Sequence, residues 1–397
     1  MIWTNKRYRT KLFGWILLFF VVSKGQAQPA PPLTRIPFLH VTGGVIIIQA
    51  QLAPHEDTLQ FIFDTGSSGI SLDSATASYL GCKPTHDGLL IRGIAGVREV
   101  AQLRQQTLTI GDLKTDSLDF YINDYSVLTS IYGVRIDGVI GYAMLSRYIV
   151  SIDYEKQFME WYAPGPFLYP KKGLLLQPQI NRLPTYPFTI QELQTKNYPL
   201  LIDIGAGLNV LFSERFAQEA GVLDRTRKSW ITSGEGIGGQ IELRLTILRS
   251  LRIGPYRFKK IPVTIFEDRF NVTNYPQWAG LIGNDLLRRF NIVFNYPEGE
   301  IHLRPNRFYF DDFDYAYIGM ELYLIDGSIS IGFIANGSPA QLAGLQEGDE
   351  IVAINKIVSG KLDTYKTELA HASKKVAVIY KRNGKIDSAI VKPIRIR

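Results

Sequence analysis

The feature that most constrains the fold of this 397-residue sequence is an internal repeat. One copy contains FIFDTGSSG at 61–69, where an apolar run ends at an acid, and the other contains PLLIDIGAG at 199–207. Five pairs of landmarks keep offsets of 139 to 143 residues: Asp64 and Asp203, Gly93 and Gly236, Gly111 and Gly254, Gly141 and Gly283, Tyr154 and Tyr296. Unrelated segments would not keep this spacing, and so the sequence predicts one lobe duplicated.

Each repeated acid follows a run of apolar residues that predicts a buried strand. A carboxylate at the end of such a strand is costly to desolvate unless it is paired or used. The following glycine allows a sharp turn that brings backbone amides close to the carboxylate. We therefore expect Asp64 and Asp203 to work as a pair on one substrate.

The remainder of each lobe is also predicted to be rich in β-structure. Its expected parts are strands such as Leu59–Phe63, a glycine hairpin suited to a mobile flap, and an Ile-Gly segment followed by a short helix. The helices are expected over 142–148 and 284–290. The predicted first lobe spans 37–163, an interlobe linker spans 164–184, and the second lobe spans 185–304.

These motifs resemble those of the aspartic proteases, in their pepsin-like and retroviral-protease-like branches. The resemblance implies a mainly β fold of two duplicated aspartic-protease-like β-barrels. It implies a catalytic pair, Asp64 and Asp203, that shares one proton and activates water, with no metal and no cofactor. The supporting residues would be Thr65, Gly66, Ser67, Gly205 and Ala206, and the flap residues that cover the substrate would be Gly93, Ile94, Gly236 and Ile237.

The second copy departs from the family pattern at two positions. The family's threonine, which bonds to the other lobe, is present as Thr65, but Ile204 takes its place in the second motif. Ser67 is able to donate to Asp64, whereas Ala206 offers no hydroxyl to Asp203. A hydrogen bond to the charged form favours ionisation. We therefore expect Asp64 to ionise more readily and Asp203 to hold the shared proton.

The C-terminal part, 313–397, resembles a bacterial PDZ domain, which has a β/α fold. Ser338 and Pro339 predict a helix start, Gly344 its end, and Gly348-Asp349 a turn into a buried strand. The resemblance implies that Tyr317, Ile318, Gly319 and Met320 form a carboxylate-binding loop. It also implies a groove helix over 361–372, which would bind an extended peptide or a C-terminus.

The N-terminal segment predicts a secreted or periplasmic protein of a bacterial envelope. Residues 1–27 resemble a signal peptide, with Lys6, Arg7, Arg9 and Lys11, an apolar run over 12–22, and a small-x-small site at 25–27. The alternative is an uncleaved membrane anchor; residues 28–36 would be a linker. Without the five basic residues of the leader, the net charge falls from +7 to +2. This near-neutral balance gives no indication of nucleic-acid binding, and we expect a monomer without a membrane span.

Two other functional classes are disfavoured by the motifs. Gly234, Gly236 and Gly239 match a dinucleotide fingerprint formally, but an alternating strand pattern follows where that fingerprint needs a helix. The five histidines are isolated and show no metal-ligand spacing. The sequence therefore predicts an aspartic endopeptidase whose PDZ domain docks peptide or protein substrates. The alternatives are a non-catalytic peptide-binding protein and an envelope adaptor whose cleft is secondary.

Overall fold

The computed structural model describes residues 31–223, 227–236, 238–273, 275–313, 315–372 and 374–396. The predicted signal peptide lies outside the described residues. The described chain is mainly β and consists of two protease-like lobes followed by a PDZ-like part, which confirms the predicted fold class. The two lobes share one hydrophobic core, and the PDZ-like part has a core of its own.

The first lobe is built on one large sheet with the strand order β2-β3-β4-β9-β5-β8-β7-β6. Its strands are β1 (Thr34–Pro37), β2 (Leu39–His40), β3 (Ile46–Leu52), β4 (Leu59–Phe63), β5 (Ile70–Asp73), β6 (His86–Gly93), β7 (Gly96–Ile110), β8 (Leu113–Asn123), β9 (Gly138–Ile140), β10 (Ile149–Asp153) and β11 (Phe158–Tyr162). Its helices are α1 (Ser74–Tyr79), α2 (Ser126–Tyr132) and α3 (Tyr142–Leu145).

The second lobe repeats this arrangement with the strand order β13-β14-β15-β20-β16-β19-β18-β17. Its strands are β12 (Leu174–Leu176), β13 (Gln179–Asn181), β14 (Leu183–Gln191), β15 (Thr195–Ile202), β16 (Val210–Ser213), β17 (Trp230–Gly236), β18 (Gly239–Ile253), β19 (Tyr256–Phe266), β20 (Gly280–Ile282), β21 (Phe290–Asn295) and β22 (Glu300–Pro305). Its helices are α4 (Glu214–Glu219) and α5 (Asn284–Leu287). The same strand order in both lobes confirms the predicted duplication.

A third sheet joins the lobes, with the order β1-β11-β10-β21-β22-β12. At its centre β10 of the first lobe pairs antiparallel with β21 of the second. Strands β12 and β13 lie within 164–184, the segment expected to be a linker, and β14 begins just before this segment ends. The apolar residues of β12 explain this difference, because Leu176 is fully buried and Leu174 packs against the core.

The PDZ-like part has a sheet with the order β24-β25-β26-β27-β28 and a short pair, β23 with β29. Its strands are β23 (Tyr315–Tyr317), β24 (Met320–Ile325), β25 (Ser328–Ile334), β26 (Glu350–Ile354), β27 (Val376–Arg382), β28 (Lys385–Val391) and β29 (Ile394–Ile396). Its helices are α6 (Pro339–Leu342) and α7 (Leu362–Ala370). The Ser338 side chain caps α6 as expected, accepting from the Gln341 amide.

Some helices are shorter than the sequence pattern indicated. The helix expected over 142–148 ends at Leu145, and the helix expected over 284–290 ends at Leu287. In both cases the chain soon enters a strand of the sheet that joins the lobes, at Ile149 and at Phe290. Pairing between the lobes therefore overrides the local helical preference.

Candidate active site

Both repeated acids stand at the ends of strands that pair in the same way. Asp64 follows β4, which is parallel to β9, and Asp203 follows β15, which is parallel to β20. The Asp64 amide donates to the carbonyl of Ile140, and the Asp203 amide donates to that of Ile282, both at 2.9 Å. Hydrogen bonds to the Ile-Gly segments of the repeat thus position the main chain at each acid, where the strand before it ends.

The two carboxyls lie against each other and are joined by a hydrogen bond. Glycine in each loop makes this approach possible. A Cβ atom added to Gly205 would lie 2.2 Å from Cγ of Asp64, and one added to Gly66 would lie 2.4 Å from Oδ2 of Asp203. Because no side chain fits at these distances, the two glycines are needed for the acids to meet.

Burial raises the pKa of both carboxyls, and the Asp64 charge helps to raise that of Asp203 well above its ordinary value. The pKa of Asp64 rises less, because hydrogen bonds from the Asp203 carboxyl and from nearby backbone amides, above all that of Gly66, favour its charged form. The backbone amides of Gly205 and Ala206 donate to Asp203. Two adjacent carboxylates cannot both ionise near neutral pH, and this asymmetry favours a proton on Asp203.

The asymmetry has a different origin from the one expected from the sequence. The hydroxyl of Ser67 was expected to stabilise the Asp64 carboxylate, but the donors in this turn are backbone amides, and that of Ser67 donates to the main-chain carbonyl of Asp64 at 3.5 Å. Gly66 donates to Oδ1 of Asp64 at 2.6 Å. The turn after β4 therefore provides the donors from the main chain.

The lobes are locked together at the acids by one threonine. Oγ1 of Thr65 donates to the carbonyl of Ile202 at 2.7 Å and accepts from the amide of Ile204 at 3.0 Å. The Ile204 side chain is fully buried and has no hydroxyl to return the contact. The one-sided contact expected from the sequence is thus observed: Thr65 of the first lobe makes hydrogen bonds to the second lobe, and no hydroxyl at position 204 returns them.

We expect Thr65→Val to destabilise the protein by about 2 kcal/mol or more, because it leaves a buried carbonyl and a buried amide without a partner. Urea unfolding followed by tryptophan fluorescence measures this change. Thr195→Val, at an exposed strand position, is the matched control and should change stability by less than about 0.5 kcal/mol. Equal effects of the two substitutions would contradict the role given to Thr65.

The two glycine hairpins contact each other. In the first hairpin Gly93 pairs with Gly96, and in the second Gly236 pairs with Gly239. A Cβ atom added to Gly236 would lie 2.4 Å from Cγ1 of Ile94, so the Ile94 side chain reaches the second hairpin. Ile237 lies outside the described residues. The hairpins are therefore in contact, as a pair of closed flaps would be.

The loop predicted to bind a carboxylate joins β23 to β24. The carbonyls of Ile318 and Gly319 accept from the amides of Ala340 and Ala335, at 3.0 and 2.9 Å. Gly319 has a φ of +73°, and a Cβ atom there would lie 2.3 Å from Cβ of Ser338. The loop runs from Tyr317 to Met320 beside α7, whose residues Leu362, Tyr365 and Leu369 are buried as expected.

Comparison with known families gives two matches. Residues 49–144 and 187–286 match the family described as aspartyl protease, and residues 334–382 match that described as PDZ domain. The chain carries two aspartyl protease lobes and a PDZ domain. A search of curated proteins found no match. The matches support a protease-like, peptide-binding role.

The aspartyl protease lobes also bring two tyrosines close to the acids, and no sequence motif marks either one as a site residue. Burial raises the pKa of Tyr132 and of Tyr296, and the charges of Asp64 and Asp203 raise both further. The hydroxyl of Tyr296 is buried and has no hydrogen-bond partner among the described residues. Tyr296 was visible only as a landmark of the repeat, and no sequence signal pointed to Tyr132.

Among the described residues, no group of three or more His, Cys, Asp or Glu side chains is arranged to hold a metal. In the same part of the chain, no helix is long and apolar enough to cross a membrane. The glycines of the formal dinucleotide fingerprint belong to the hairpin of β17 and β18, which confirms that a strand follows them.

Proposed function

We propose that the protein is an aspartic endopeptidase that hydrolyses peptide bonds with water. The observation that carries the proposal is the hydrogen-bonded pair of carboxyls formed by the half-buried Asp64 and the buried Asp203, one from each lobe. Closed flaps above the pair would exclude bulk water and hold an extended peptide. The match of both lobes to aspartyl proteases supports the same reaction.

In the proposed mechanism the two carboxyls share one proton, which Asp203 carries. Asp64 takes a proton from a water molecule bound between the acids, and the water oxygen attacks the scissile carbonyl carbon. The proton on Asp203 passes to the carbonyl oxygen, which avoids a free oxyanion. The resulting diol then breaks the C–N bond: the proton on Asp64 moves to the departing nitrogen, and a hydroxyl proton of the diol returns to Asp203.

The PDZ domain supports a role in binding peptide, and we propose that it docks peptide or protein substrates. We further propose a secreted or periplasmic location, on the basis of the predicted signal peptide, and a monomer as the working form. Fractionation of cells that produce the full chain, with N-terminal sequencing of the product, tests the location. Recovery of an uncleaved N-terminus in the membrane fraction would favour the anchor instead.

The proposed activity is tested by cleavage of a peptide library between pH 3 and pH 8. We expect cleavage by residues 28–397 and a rate profile that reports the apparent pKa values of the pair. Cleavage that survives loss of either acid would refute the shared mechanism. Deletion of 313–397 then tests docking, since only substrates with a suitable tail should lose cleavage.

A second candidate function is favoured by Ile204. With half of the lock between the lobes absent, the cleft could bind extended peptide without turnover, next to a peptide-binding PDZ domain. Such a protein would act as an envelope adaptor. Peptides that stay bound and intact at every pH, on folded protein, would favour this function over proteolysis.

A further inference from the structure

The peptide groove of the PDZ domain faces the protease lobes. Its walls are β24, the edge strand of the PDZ sheet, and the helix α7. A peptide bound in the manner of PDZ domains adds as a strand along such an edge, beside the helix. What lies against these two walls therefore determines whether a peptide is able to enter.

Both walls of the groove contact the end of α2, a helix of the first lobe. Nζ of Lys366, on α7, donates to the carbonyl of Ile131 at 2.7 Å. A Cβ atom added to Gly133 would lie 2.9 Å from Cβ of Leu362, which is also on α7. The other wall, β24, packs against α2. The C-terminal end of α2 thus lies across the groove.

The same wall holds the flap of the second lobe. Oγ1 of Thr232, in β17, donates to Oε1 of Glu321 at 2.9 Å, and the hydroxyl of Tyr317 donates to the carbonyl of Ile231 at 2.6 Å. The hydroxyl of Tyr323 lies 3.3 Å from Nε2 of Gln240, on the next strand of that flap. Side chains of β24 and of the carboxylate loop are therefore bound to the outer strands of the flap.

The two charged residues of this contact, Glu321 and Lys366, are half-buried. Burial raises the pKa of Glu321 and lowers that of Lys366, and each charge partly offsets the effect on the other. Charged groups are left in such a position only where partners replace the lost water. Here the partners are Thr232 and the Ile131 carbonyl, both of which belong to the protease lobes.

The two held elements also lead toward the acids and toward the contact between the two flaps. Tyr132, the last residue of α2, lies near Asp64 and Asp203: burial raises its pKa, and the charges of the two acids raise it further. The flap strand β17 ends at Gly236, where the side chain of Ile94 from the opposite flap is packed. Movement of the PDZ domain would therefore release α2, which ends near the acids, and one of the two flaps that contact each other.

We propose that the PDZ groove is occupied by the chain's own α2 and flap, and that a peptide with a free C-terminus competes with them and opens the cleft. The ligand of this groove is then an activator, whether or not it is later cleaved. Binding shifts the population toward the open form only because the peptide and α2 contact the same walls. The effect on cleavage rests on the proposed protease activity, whereas the competition itself does not.

The first test weakens the contact between the PDZ domain and the protease lobes by removing one hydrogen bond to α2 and one to the flap. The double variant Lys366→Met with Thr232→Val, built in the inactive Asp203→Asn chain, removes both hydrogen bonds and retains side-chain volume. Hydrogen exchange of the amides in 126–132 and 230–245 should speed up by about tenfold or more, as expected for the loss of such bonds. Lys385→Met, at an exposed position of the PDZ domain, is the matched control and should leave exchange unchanged.

The second test uses peptides as competitors. A library of heptapeptides with random C-terminal residues is compared with the same library amidated at its C-terminus. Peptides with a free carboxylate should bind the double variant about tenfold more tightly than the parent, and should speed exchange of both segments in the parent. Amidated peptides should do neither.

Equal peptide affinity in parent and double variant, or unchanged exchange of both segments, would overturn the proposal. If the double variant does not fold, Tyr317→Phe alone removes the contact with the Ile231 carbonyl and should still speed exchange of 230–245. All of these measurements use chains without activity. Failure of the protease proposal would therefore appear only as absent cleavage in the wild type, with the competition intact.

Discussion

Asp203→Asn is expected to lower the rate of peptide cleavage by a factor of about 10² to 10⁴ and to raise the melting temperature at neutral pH. The amide keeps the shape of the carboxyl and is still able to accept from the amides of Gly205 and Ala206. It has no proton to give to the scissile carbonyl. Activity is therefore lost while the contact between the lobes persists.

The gain in stability follows from the direction of the pKa shift. The pKa of Asp203 in the folded protein is raised well above its ordinary value, chiefly by burial. Below about pH 4 the carboxyl is protonated in both folded and unfolded chains and adds no pH dependence. Above that pH the unfolded chain ionises and the folded chain does not, so wild-type stability falls until the folded pKa is passed. Asp203→Asn removes this loss.

Thermal unfolding between pH 3.5 and pH 8 measures the difference. The melting temperatures of the wild type and Asp203→Asn should converge at the acidic end and separate as the pH rises, with the variant higher. The matched control is Asp112→Asn, at an exposed turn, which should follow the wild type throughout. A wild type that becomes more stable relative to Asp203→Asn with rising pH would mean that Asp203 is ionised in the fold.

Gly205→Ala is expected to abolish activity and to cost about 1–3 kcal/mol of stability. The new Cβ would overlap the carboxyl of Asp64, with 2.2 Å to Cγ, and the acids would have to separate. A displacement of about 1 Å in a catalytic group is enough to lower a rate by about 10². The two carboxyls would also lose their hydrogen bond, and their pKa values would move back toward the ordinary range.

Gly207→Ala is the matched control, two residues further along the same loop. Its added Cβ meets the Cγ2 atom of Val45 first, at 3.1 Å, and Gly207 is exposed. We expect stability to change by about 0.5 kcal/mol or less and cleavage to persist. Urea unfolding and peptide cleavage measure both variants. Similar behaviour of the two alanines would show that contact between Asp64 and Gly205 is not what the site requires.

The repeat was enough to predict the fold class and the meeting of Asp64 with Asp203. An apolar run that ends at an acid predicts where a strand ends, and the constant offset predicts the same strand end in the second copy of the repeat. The lock made by Thr65 was also expected, because Ile204 is visibly unable to reciprocate it. These features depend on residue types at fixed positions, which a sequence displays directly.

Other features were hidden because they depend on contacts between distant parts of the chain. Strand β12 was expected to be linker, since proline and glycine around it outweighed its three leucines. Tyr132 gave no signal, because its position beside the acids results from the path of α2. The contact of Lys366 with Ile131 joins residues 235 positions apart, and neither side chain shows this in a local pattern.

The sheet that joins the lobes has one more property. At its centre Ser151 pairs with Val293, and these positions are 142 residues apart, as are the equivalent Tyr154 and Tyr296. Equivalent positions therefore face each other across a local two-fold axis, which is the geometry of an isologous dimer. The two lobes therefore meet as the subunits of such a dimer do, but within one polypeptide. Because each lobe has its own stretch of sequence, the two halves are free to differ, with threonine at 65 and isoleucine at 204.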